Sequence, residues 1–342
     1  MNDFVLYPFA LLCPFLLGLL LTPPAYRYLG RRLADKPSGN LKKHRRRVPS
    51  LGGLIIFVSV LLPLVIIRFT TAFPSGTLHY LRGVFIGGAL IFALGLADDL
   101  RKPEGVSVLT KLFVQALAAA ALMCYGVHVQ FVQSPYLAYP VTFLWLVGLT
   151  NAFNLLDIMD GLCVSQALVC ALGLAVIALP QELIYVNVAA LALLGACCAF
   201  LPANLRAKHK IFLGDSGATF LGFMLAALSM GTSYSEHTDV GFLAPLFILA
   251  VPLFDTAFVI VARLLRHKNP LKGSNDHIAL RLKKLGWSPR AVRGAFIAAG
   301  VMFNTFAYTL TRSTMAVALC LFVVTGLLFA LCALWLLSLK AD

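Results

Sequence analysis

The sequence predicts an all-α, polytopic integral membrane protein whose 342 residues form one domain, and three observations lead to this fold class. Hydrophobic residues make up 60% of the chain and charged residues 12%, whereas soluble domains average roughly 45–50% and about 25%. The mean hydropathy is +0.88. Eleven apolar runs leave only about 11 residues for each connection, too few for a soluble domain. These observations exclude a water-soluble enzyme, a disordered chain and a fibrous protein.

Each predicted span is an apolar run bounded by charge, Pro or Gly, and a helix needs about 20 such residues to cross the hydrocarbon layer. The runs are 4–22, 51–67, 83–97, 109–124, 138–152, 163–179, 185–202, 217–231, 241–262, 294–311 and 314–338. The eight cysteines lie in or beside these runs without C-x-x-C spacing, so we interpret them as packing residues.

The distribution of Lys and Arg predicts the orientation, because loops rich in these residues stay in the cytoplasm. With the N-terminus outside, 25 of the 28 basic residues fall in inner loops, and Arg68, Arg82 and Arg312 remain outside. The net charge of +14 is therefore mainly an orientation signal, and no nucleic acid is expected as a partner. The first run lacks a basic leader, so we expect an uncleaved first span and not a signal peptide.

Ten of the fourteen Asp and Glu residues lie on the predicted inner side or at inner span ends. Ionisable groups at membrane depth are costly and are candidates for function. Because these acids come from at least four separate segments, we predict one shared site at the cytoplasmic face.

The first acidic cluster is the pair Asp98-Asp99, which closes the third span. Neighbours on a helix point about 100° apart, so the two carboxylates should divide their roles in metal or phosphate chemistry. The alternative is a solvated helix end balanced by Arg101 and Lys102.

The second cluster repeats an oxygen-bearing side chain every third residue: Asn151, Asn154, Asp157 and Asp160. On a helix this spacing produces a slowly winding polar stripe. Amide and carboxylate oxygens are ligands that Mg²⁺ prefers. Hydrogen bonds between helices are the alternative.

The third cluster, Gly214-Asp215-Ser216-Gly217, opens the eighth span, where backbone N–H groups attract a phosphate and Asp215 can hold a cation. A simple N-cap is the alternative.

The fourth segment contains Asp255 and, after a basic loop, Asp276-His277. The alternatives for this segment are a structural Asp255–Arg263 ion pair and a surface histidine.

Taken in order, these motifs resemble the polyprenyl-phosphate N-acetylhexosamine-1-phosphate transferases of glycosyltransferase family 4. The matching motifs are His44 five residues before Pro49 with Gly52-Gly53, the Asp98-Asp99 pair, N-x-x-N-x-x-D-x-x-D-G at Asn151 to Gly161, and F-x-G-D at Phe212 to Asp215. The resemblance covers nearly the whole chain.

The resemblance implies an enzyme that transfers a sugar 1-phosphate from a UDP-sugar to undecaprenyl or another polyprenyl phosphate, with release of UMP. It implies a requirement for Mg²⁺ or Mn²⁺ and an active site on the cytoplasmic side, where a lipid-linked envelope glycan is begun. The expected partners are the UDP-sugar, the polyprenyl phosphate, the membrane and, for assembly, a second copy in a homodimer.

The resemblance also implies roles for individual residues. Asp215 matches the principal metal ligand and Asn154 a second one, whereas Asp98 matches a base on the lipid phosphate. Because the side chains of Asp98 and Asp99 diverge, we expect Asp99 to serve metal or phosphate placement instead. Phe212 matches an aromatic that stacks on uracil. The remaining substrate-binding candidates are His44, Asn151, Asp157, Asp160, Asp276 and His277.

The chain resembles the GlcNAc-1-phosphate transferases more than the phospho-MurNAc-pentapeptide translocase, which is the alternative. Asp255 in a P-L-x-D sequence and the Val48-Pro49-Ser-Leu-Gly segment place the chain nearer the GlcNAc group. In the last large inner loop it departs from both groups, because it has only His277 where the translocase has a three-histidine run and the bacterial GlcNAc transferases often have H-I-H-H.

Three other classes of protein compete with a transferase. A secondary transporter would place ionisable groups near the bilayer midplane, but here the midspans are nearly free of charge. A lipid pyrophosphatase would not need a nucleotide, and a scaffold would not need the acids of the inner face.

Overall fold

The computed structural model describes the chain outside residues 1–2, 31–33, 36–47, 72–75, 182–183, 233, 235–239, 270–275 and 339–342. The described residues form helices joined by short connections, with one two-stranded antiparallel ribbon of β1 (Ala34–Asp35) and β2 (Val48–Pro49). The all-α prediction is confirmed. Two compact units are present, Met1–Thr232 and Ser233–Asp342, and the single-domain organisation stays a prediction.

The helices of the first unit are α1 (Asp3–Leu29), α2 (Gly52–Thr70), α3 (Thr77–Leu100), α4 (Val108–Cys124), α5 (Pro135–Leu156), α6 (Leu162–Ala178), α7 (Ile184–Leu205) and α8 (Gly214–Met230). Those of the second unit are α9 (Ala244–Ile248), α10 (Ala250–Leu264), α11 (Ile278–Lys284), α12 (Pro289–Leu310) and α13 (Met315–Ser338).

Ten of the eleven predicted spans each coincide with one helix, and the ninth does not. Residues 241–262 were expected to form one span, but they contain a 3₁₀ turn, α9 and α10, with a 66° bend between the turn–α9 segment and α10. By length and composition, six described helices can cross a membrane, or seven if the bent pair counts as one span. The protein is thus a multi-pass membrane protein, while the count of eleven crossings stays a prediction.

Burial distinguishes helices that form the core from helices that face lipid. In α7, 78% of the most apolar window is buried, because this helix packs against α1, α2 and α6. In α13 only 11% of the corresponding window is buried. A helix that is apolar all round needs a protein or a lipid partner on every face, so α13 is suited to contact with lipid.

Glycines allow the first turn of α8 to approach the backbones of α2 and α3. A Cβ atom built on Gly95 of α3 would lie 2.4 Å from the Cα of Ser216, and one on Gly53 of α2 would lie 2.3 Å from its Oγ. Neither position has room for a methyl group. The start of α8, which carries Asp215, is therefore fixed by direct backbone contact.

We expect Gly95→Ala to lower activity sharply, because the added methyl group must push Ser216 and the neighbouring Asp215 away from α3. The overpacking should cost about 1–3 kcal/mol of stability. Thermal unfolding in detergent and an activity assay measure the two effects. Gly148→Ala is the matched control, because no atom lies within 4 Å of a Cβ at Gly148. If both variants behave alike, this close approach has no functional importance.

The orientation can be tested in a variant without native cysteines. Gln133 lies in the exposed connection between α4 and α5, predicted outside, and Lys208 lies in the exposed connection after α7, predicted inside. Gln133→Cys should react with a membrane-impermeant thiol reagent in intact cells, and Lys208→Cys should react only after the cells are opened. The reverse pattern would place the acidic clusters on the outer face.

Candidate active site

Three of the four predicted clusters lie in the first unit, where the C-terminal end of α3 meets the N-terminal end of α8. Asp99 of α3 joins the ends of these two helices. Its Oδ1 accepts a hydrogen bond from the Asp215 backbone N–H at 3.0 Å, and its Oδ2 accepts from the backbone N–H of Ser216 at 3.0 Å and from the Ser216 hydroxyl at 2.7 Å. The carboxylate of one helix therefore caps the N-terminus of another. This position is favourable for a negative charge, because the first N–H groups of a helix have no partner within it.

Asp98 is held separately from Asp99, as the divergence of neighbouring side chains on a helix predicts. Its Oδ1 accepts from the Val106 backbone N–H at 2.5 Å, and its Oδ2 accepts from the Lys111 ammonium at 2.6 Å. The side chain is only 4% exposed. Its carboxyl group lies within hydrogen-bonding reach of Asp215, so the two acids face each other.

Asp215 is the more accessible of the two, with 28% of its side chain exposed. The Lys102 ammonium lies between it and Asp99, 3.3 Å from Asp215 Oδ1 and 2.7 Å from Asp99 Oδ1. Two facing carboxylates repel each other unless a proton or a cation lies between them. In this structure Lys102 supplies part of the compensating charge.

A backbone ladder fixes the segment that precedes α8. The Phe212 N–H donates to the Pro49 carbonyl at 2.8 Å, and the N–H groups of Gly52 and Gly53 donate to the carbonyls of Phe212 and Leu213 at 2.9 Å. The Pro-Ser-Leu-Gly-Gly segment therefore holds the F-x-G-D segment in register. The connection of these two motifs could not be predicted from their separation along the chain.

The second motif does not form one continuous helical stripe, and that expectation was wrong. α5 ends at Leu156, so Asn151 and Asn154 lie on the helix, whereas Asp157 and Asp160 lie in the turn that follows. Gly161 ends this turn with a φ of +73° and donates its N–H to Asn204 Oδ1 at 2.6 Å.

The two asparagines of this motif differ in their side-chain hydrogen bonds. Asn151 exchanges hydrogen bonds with Gln115 of α4, donating at 3.1 Å and accepting at 3.4 Å. For this residue the geometry supports the interhelical alternative, and a role in substrate binding stays a prediction. Asn154 has no side-chain hydrogen bond within the described part of the chain, so its amide is available to a ligand.

The two aspartates of the turn also differ. Desolvation, together with the negative charge of Asp215, raises the pKa of the Asp157 carboxyl to about 7. Asp160 pairs with the Lys210 ammonium at 2.5 Å. Lys210 also lies 5.9 Å from the centre of the Phe212 ring. The Phe212 ring and the Asp160–Lys210 ion pair therefore lie next to each other.

The fourth cluster belongs to the second unit and is described by itself. His277 Nδ1 lies 2.8 Å from Asp255 Oδ2, and the Ile278 N–H donates to Asp255 Oδ1 at 2.9 Å. The side chains of His277 and Asp255 are both 2% exposed. The alternatives of an Asp255–Arg263 ion pair and of a surface histidine are therefore wrong, because Asp255 binds a buried histidine instead.

Three arginines surround Asp276. Arg266 lies 2.7 Å from Oδ1, Arg281 lies 3.0 Å from the same oxygen, and Arg263 lies 3.8 Å from Oδ2. These contacts neutralise Asp276 in a structural network, and its role in substrate binding stays a prediction. His44 lies outside the described residues.

Comparison with known proteins decides the family. The sequence profile of glycosyl transferase family 4 matches residues 81–233. A probable undecaprenyl-phosphate N-acetylglucosaminyl 1-phosphate transferase of Bacillus subtilis is 31% identical over 316 residues, which cover 89% of this chain and 85% of the relative. The chain belongs to glycosyl transferase family 4, among the GlcNAc-1-phosphate transferases.

Two further family 4 relatives extend the comparison. The decaprenyl-phosphate N-acetylglucosaminephosphotransferase of Mycolicibacterium smegmatis is 29% identical, over 72% of this chain and 68% of the relative. The undecaprenyl-phosphate alpha-N-acetylglucosaminyl 1-phosphate transferase of Escherichia coli is 24% identical, over 75% of this chain and 71% of the relative.

Family 4 enzymes generally need a divalent metal, and the residues of the first unit fit one. Within the described ranges no three His, Cys, Asp or Glu side chains are grouped to enclose an ion. Mg²⁺ commonly takes only one or two carboxylates and completes its shell with water and substrate phosphates. Asp215, with 28% of its side chain exposed, and the half-buried Asn154 carry oxygens of the kind that such an open shell uses.

The net charge of this family 4 site also favours the binding of a cation. With every carboxyl group ionised, the site would contain five carboxylates (Asp98, Asp99, Asp157, Asp160 and Asp215) and three ammonium groups (Lys102, Lys111 and Lys210), a net charge of −2. A divalent ion would neutralise that charge and favour the ionised form of Asp157.

Sequence reasoning missed the residues that hold the acids and the Asn151–Gly161 motif in place. Lys111, Lys210, Gln115 and Asn204 were not singled out, and Lys102 was considered only as a balancing charge. The spacing of Lys102 three residues after Asp99 was a usable local signal. The others lie 13 to 50 residues along the chain from the residues that they contact, so only the fold brings each pair together.

Proposed function

We propose that this protein transfers GlcNAc-1-phosphate from UDP-GlcNAc to a polyprenyl phosphate, with undecaprenyl phosphate as the expected acceptor, and releases UMP. The reaction takes place at the cytoplasmic face of the inner membrane and begins a lipid-linked envelope glycan. The observation that carries this proposal is the convergence of Asp98, Asp99 and Asp215 at the start of α8, surrounded by lysines. The names of the relatives support the choice of GlcNAc.

In this reaction an oxygen of the lipid phosphate attacks the β-phosphorus of UDP-GlcNAc, and the bond to the α-phosphate oxygen breaks. UMP leaves with the electron pair. Phosphoryl transfer depends mainly on positioning and on neutralising the phosphate oxygens. Asp215 and Asn154 would hold a bound Mg²⁺ or Mn²⁺, which would act as a Lewis acid on the pyrophosphate. Lys102, which pairs with Asp99 and Asp215, and Lys111, which pairs with Asp98, contribute positive charge at the site.

We assign Asp98 the role of orienting the lipid phosphate, and its contacts support this assignment. Lys111 and the Val106 N–H fix its carboxylate, and it faces Asp215. Phe212 offers its ring to the uracil, with Lys210 and Asp160 beside it. The ribbon-like contact with Pro49 keeps that ring in position.

The experiment that tests the function uses purified protein in nanodiscs with labelled UDP-GlcNAc, UDP-GalNAc or UDP-MurNAc-pentapeptide, and undecaprenyl phosphate. We expect a lipid-linked product and UMP in equal amounts from UDP-GlcNAc. A product formed mainly from UDP-MurNAc-pentapeptide would identify the translocase alternative. In a separate assay with a lipid pyrophosphate and no nucleotide, release of inorganic phosphate would identify a pyrophosphatase.

The role of Asp98 can be separated into proton transfer and orientation. The second pKa of a polyprenyl phosphate lies near 6, so the phosphate is largely ionised near pH 7. Its attack therefore has little need of a base. We therefore expect Asp98→Asn to lower the turnover rate at every pH with the affinity for UDP-GlcNAc nearly unchanged. The pH–rate profiles of both proteins measure this. An acidic limb that disappears in the variant would instead demonstrate proton transfer to Asp98.

A further inference from the structure

The turn between α11 and α12 exposes two large apolar side chains on a rigid frame. Leu285 is 44% exposed and Trp287 is 42% exposed. Gly286 has a φ of +90°, and the N–H groups of Gly286 and Trp287 donate to the carbonyls of Lys283 at 3.1 Å and Leu282 at 3.2 Å. This hydrogen-bond pattern closes a helix firmly. The exposure of Leu285 and Trp287 is therefore set by the fixed backbone of this turn.

The start of α12 is equally well defined. Ser288 caps the helix by accepting a hydrogen bond from the Ala291 N–H at 3.2 Å, and Pro289 occupies the first helical position. Both sides of the turn are thus fixed by local geometry. We call residues 283–290 the basic turn.

Positive charge surrounds the two apolar side chains. Lys283, Lys284 and Arg290 are exposed in the basic turn. In the described part of the second unit the acidic residues are Asp255 and Asp276, and both are buried against basic partners. The described surface of this unit therefore has no exposed carboxylate.

We propose that the basic turn binds anionic phospholipid headgroups at the edge of the membrane. Trp prefers the boundary between headgroups and acyl chains, and Lys and Arg are attracted to anionic lipid. Leu285 and Trp287 enter this boundary, while Lys283, Lys284 and Arg290 contact the lipid phosphates. The proposal does not depend on the reaction that the protein catalyses.

Trp287 itself is the probe for the experiment. The chain has three tryptophans, and Trp145→Phe with Trp335→Phe leaves Trp287 alone. The protein is placed in phosphatidylcholine nanodiscs that contain the same fraction of brominated phosphatidylglycerol or brominated phosphatidylcholine. We expect quenching by the brominated phosphatidylglycerol to be about twofold stronger, because the anionic lipid accumulates at the turn.

Charge removal tests the cause of this preference. K283Q/K284Q/R290Q should make the two brominated lipids quench equally, whereas Arg312→Gln, at the opposite end of α12, should preserve the difference. Equal quenching with the basic turn intact would overturn the proposal. So would an absence of quenching by either lipid, which would place the turn in water or against a protein.

A second inference concerns Lys102 and rests on the proposed function. Its ammonium bridges Asp99 and Asp215 at 2.7 and 3.3 Å. Asp99 has three other donors from Asp215 and Ser216, so it stays in place without this lysine. Asp215 has 28% of its side chain exposed and can accept another cation.

We infer that Lys102 is a placeholder cation that leaves Asp215 when a divalent ion binds. An ammonium and a divalent ion at one carboxylate repel each other strongly at a separation of a few ångströms. Lys102 then turns toward the phosphates of the nucleotide sugar, where its positive charge attracts the negative phosphate oxygens. The lysine therefore weakens metal binding in the free enzyme but supports turnover.

Mn²⁺ binding without nucleotide or lipid tests this inference, measured by the electron paramagnetic resonance signal of free Mn²⁺. Lys102→Met should bind Mn²⁺ about tenfold more tightly than the wild-type protein, because one repelling charge is gone. Its turnover at saturating Mg²⁺ should fall. Lys208→Met, which removes an exposed lysine elsewhere, is the control and should change neither.

Unchanged or weaker Mn²⁺ binding in Lys102→Met would overturn the inference. Because the binding measurement contains no substrate, its result is independent of the sugar and lipid assays. A wild-type protein that transfers no GlcNAc-1-phosphate would refute the proposed function, while tighter Mn²⁺ binding in the variant would still support the placeholder.

Discussion

Asp215→Asn is expected to abolish transfer while the protein remains folded. Its side chain is partly exposed and faces the carboxylate of Asp98, so in the absence of a metal its charge is not needed for stability. Losing a charged metal ligand removes several kcal/mol of transition-state stabilisation, and about 4 kcal/mol corresponds to a roughly thousandfold loss in rate. Thermal stability should stay the same or rise, because one of two repelling charges is removed.

Turnover of UDP-GlcNAc, Mn²⁺ binding and thermal unfolding in detergent measure these effects together. Glu104→Gln is the matched control, since Glu104 is an exposed acid in the connection after α3. It should keep wild-type activity and stability. Near wild-type turnover in purified Asp215→Asn would refute the assignment of Asp215 as a metal ligand.

Asp99→Leu should have the opposite profile, with a large loss of stability as well as activity. The side chain of Asp99 is fully buried, and it receives hydrogen bonds from two backbone N–H groups, the Ser216 hydroxyl and Lys102. Leucine has a similar size but leaves these donors without an acceptor. Breaking a buried charged network in this way typically costs about 3–5 kcal/mol.

The comparison of Asp99 variants separates a structural from a chemical role. Asp99→Asn keeps one acceptor oxygen, so it should regain part of the stability lost in Asp99→Leu. Activity that returns in proportion to stability would mean that Asp99 acts by positioning α8. An Asp99→Asn protein as stable as wild type but inactive would contradict this interpretation and assign the carboxylate a direct role.

Several features of the protein follow from its sequence because they depend on local patterns. Apolar runs of sufficient length predicted ten helices close to their observed bounds, since a helix in lipid must satisfy its backbone internally. The break at Leu249 within the ninth span was missed, because both halves are apolar and the 66° bend depends on packing.

Within the site, the sequence identified the acids but not their partners. Asp98 and Asp99 were expected to diverge, and they do, because adjacent helical side chains point in different directions. The cap that Asp99 forms on α8 joins residues 116 positions apart, and no periodicity along the chain encodes such a contact.

By itself, the sequence determined the membrane class, the family and the acids near the start of α8, since each depends on composition or on a short ordered motif. Only the tertiary structure decided that Asn151 is engaged by Gln115, that Asn154 remains available, and that Lys102 lies between two carboxylates. The reason is physical. Whether a polar side chain is available for chemistry depends on the other helices that satisfy its hydrogen bonds and charge, and those helices are brought together by packing over long separations along the chain.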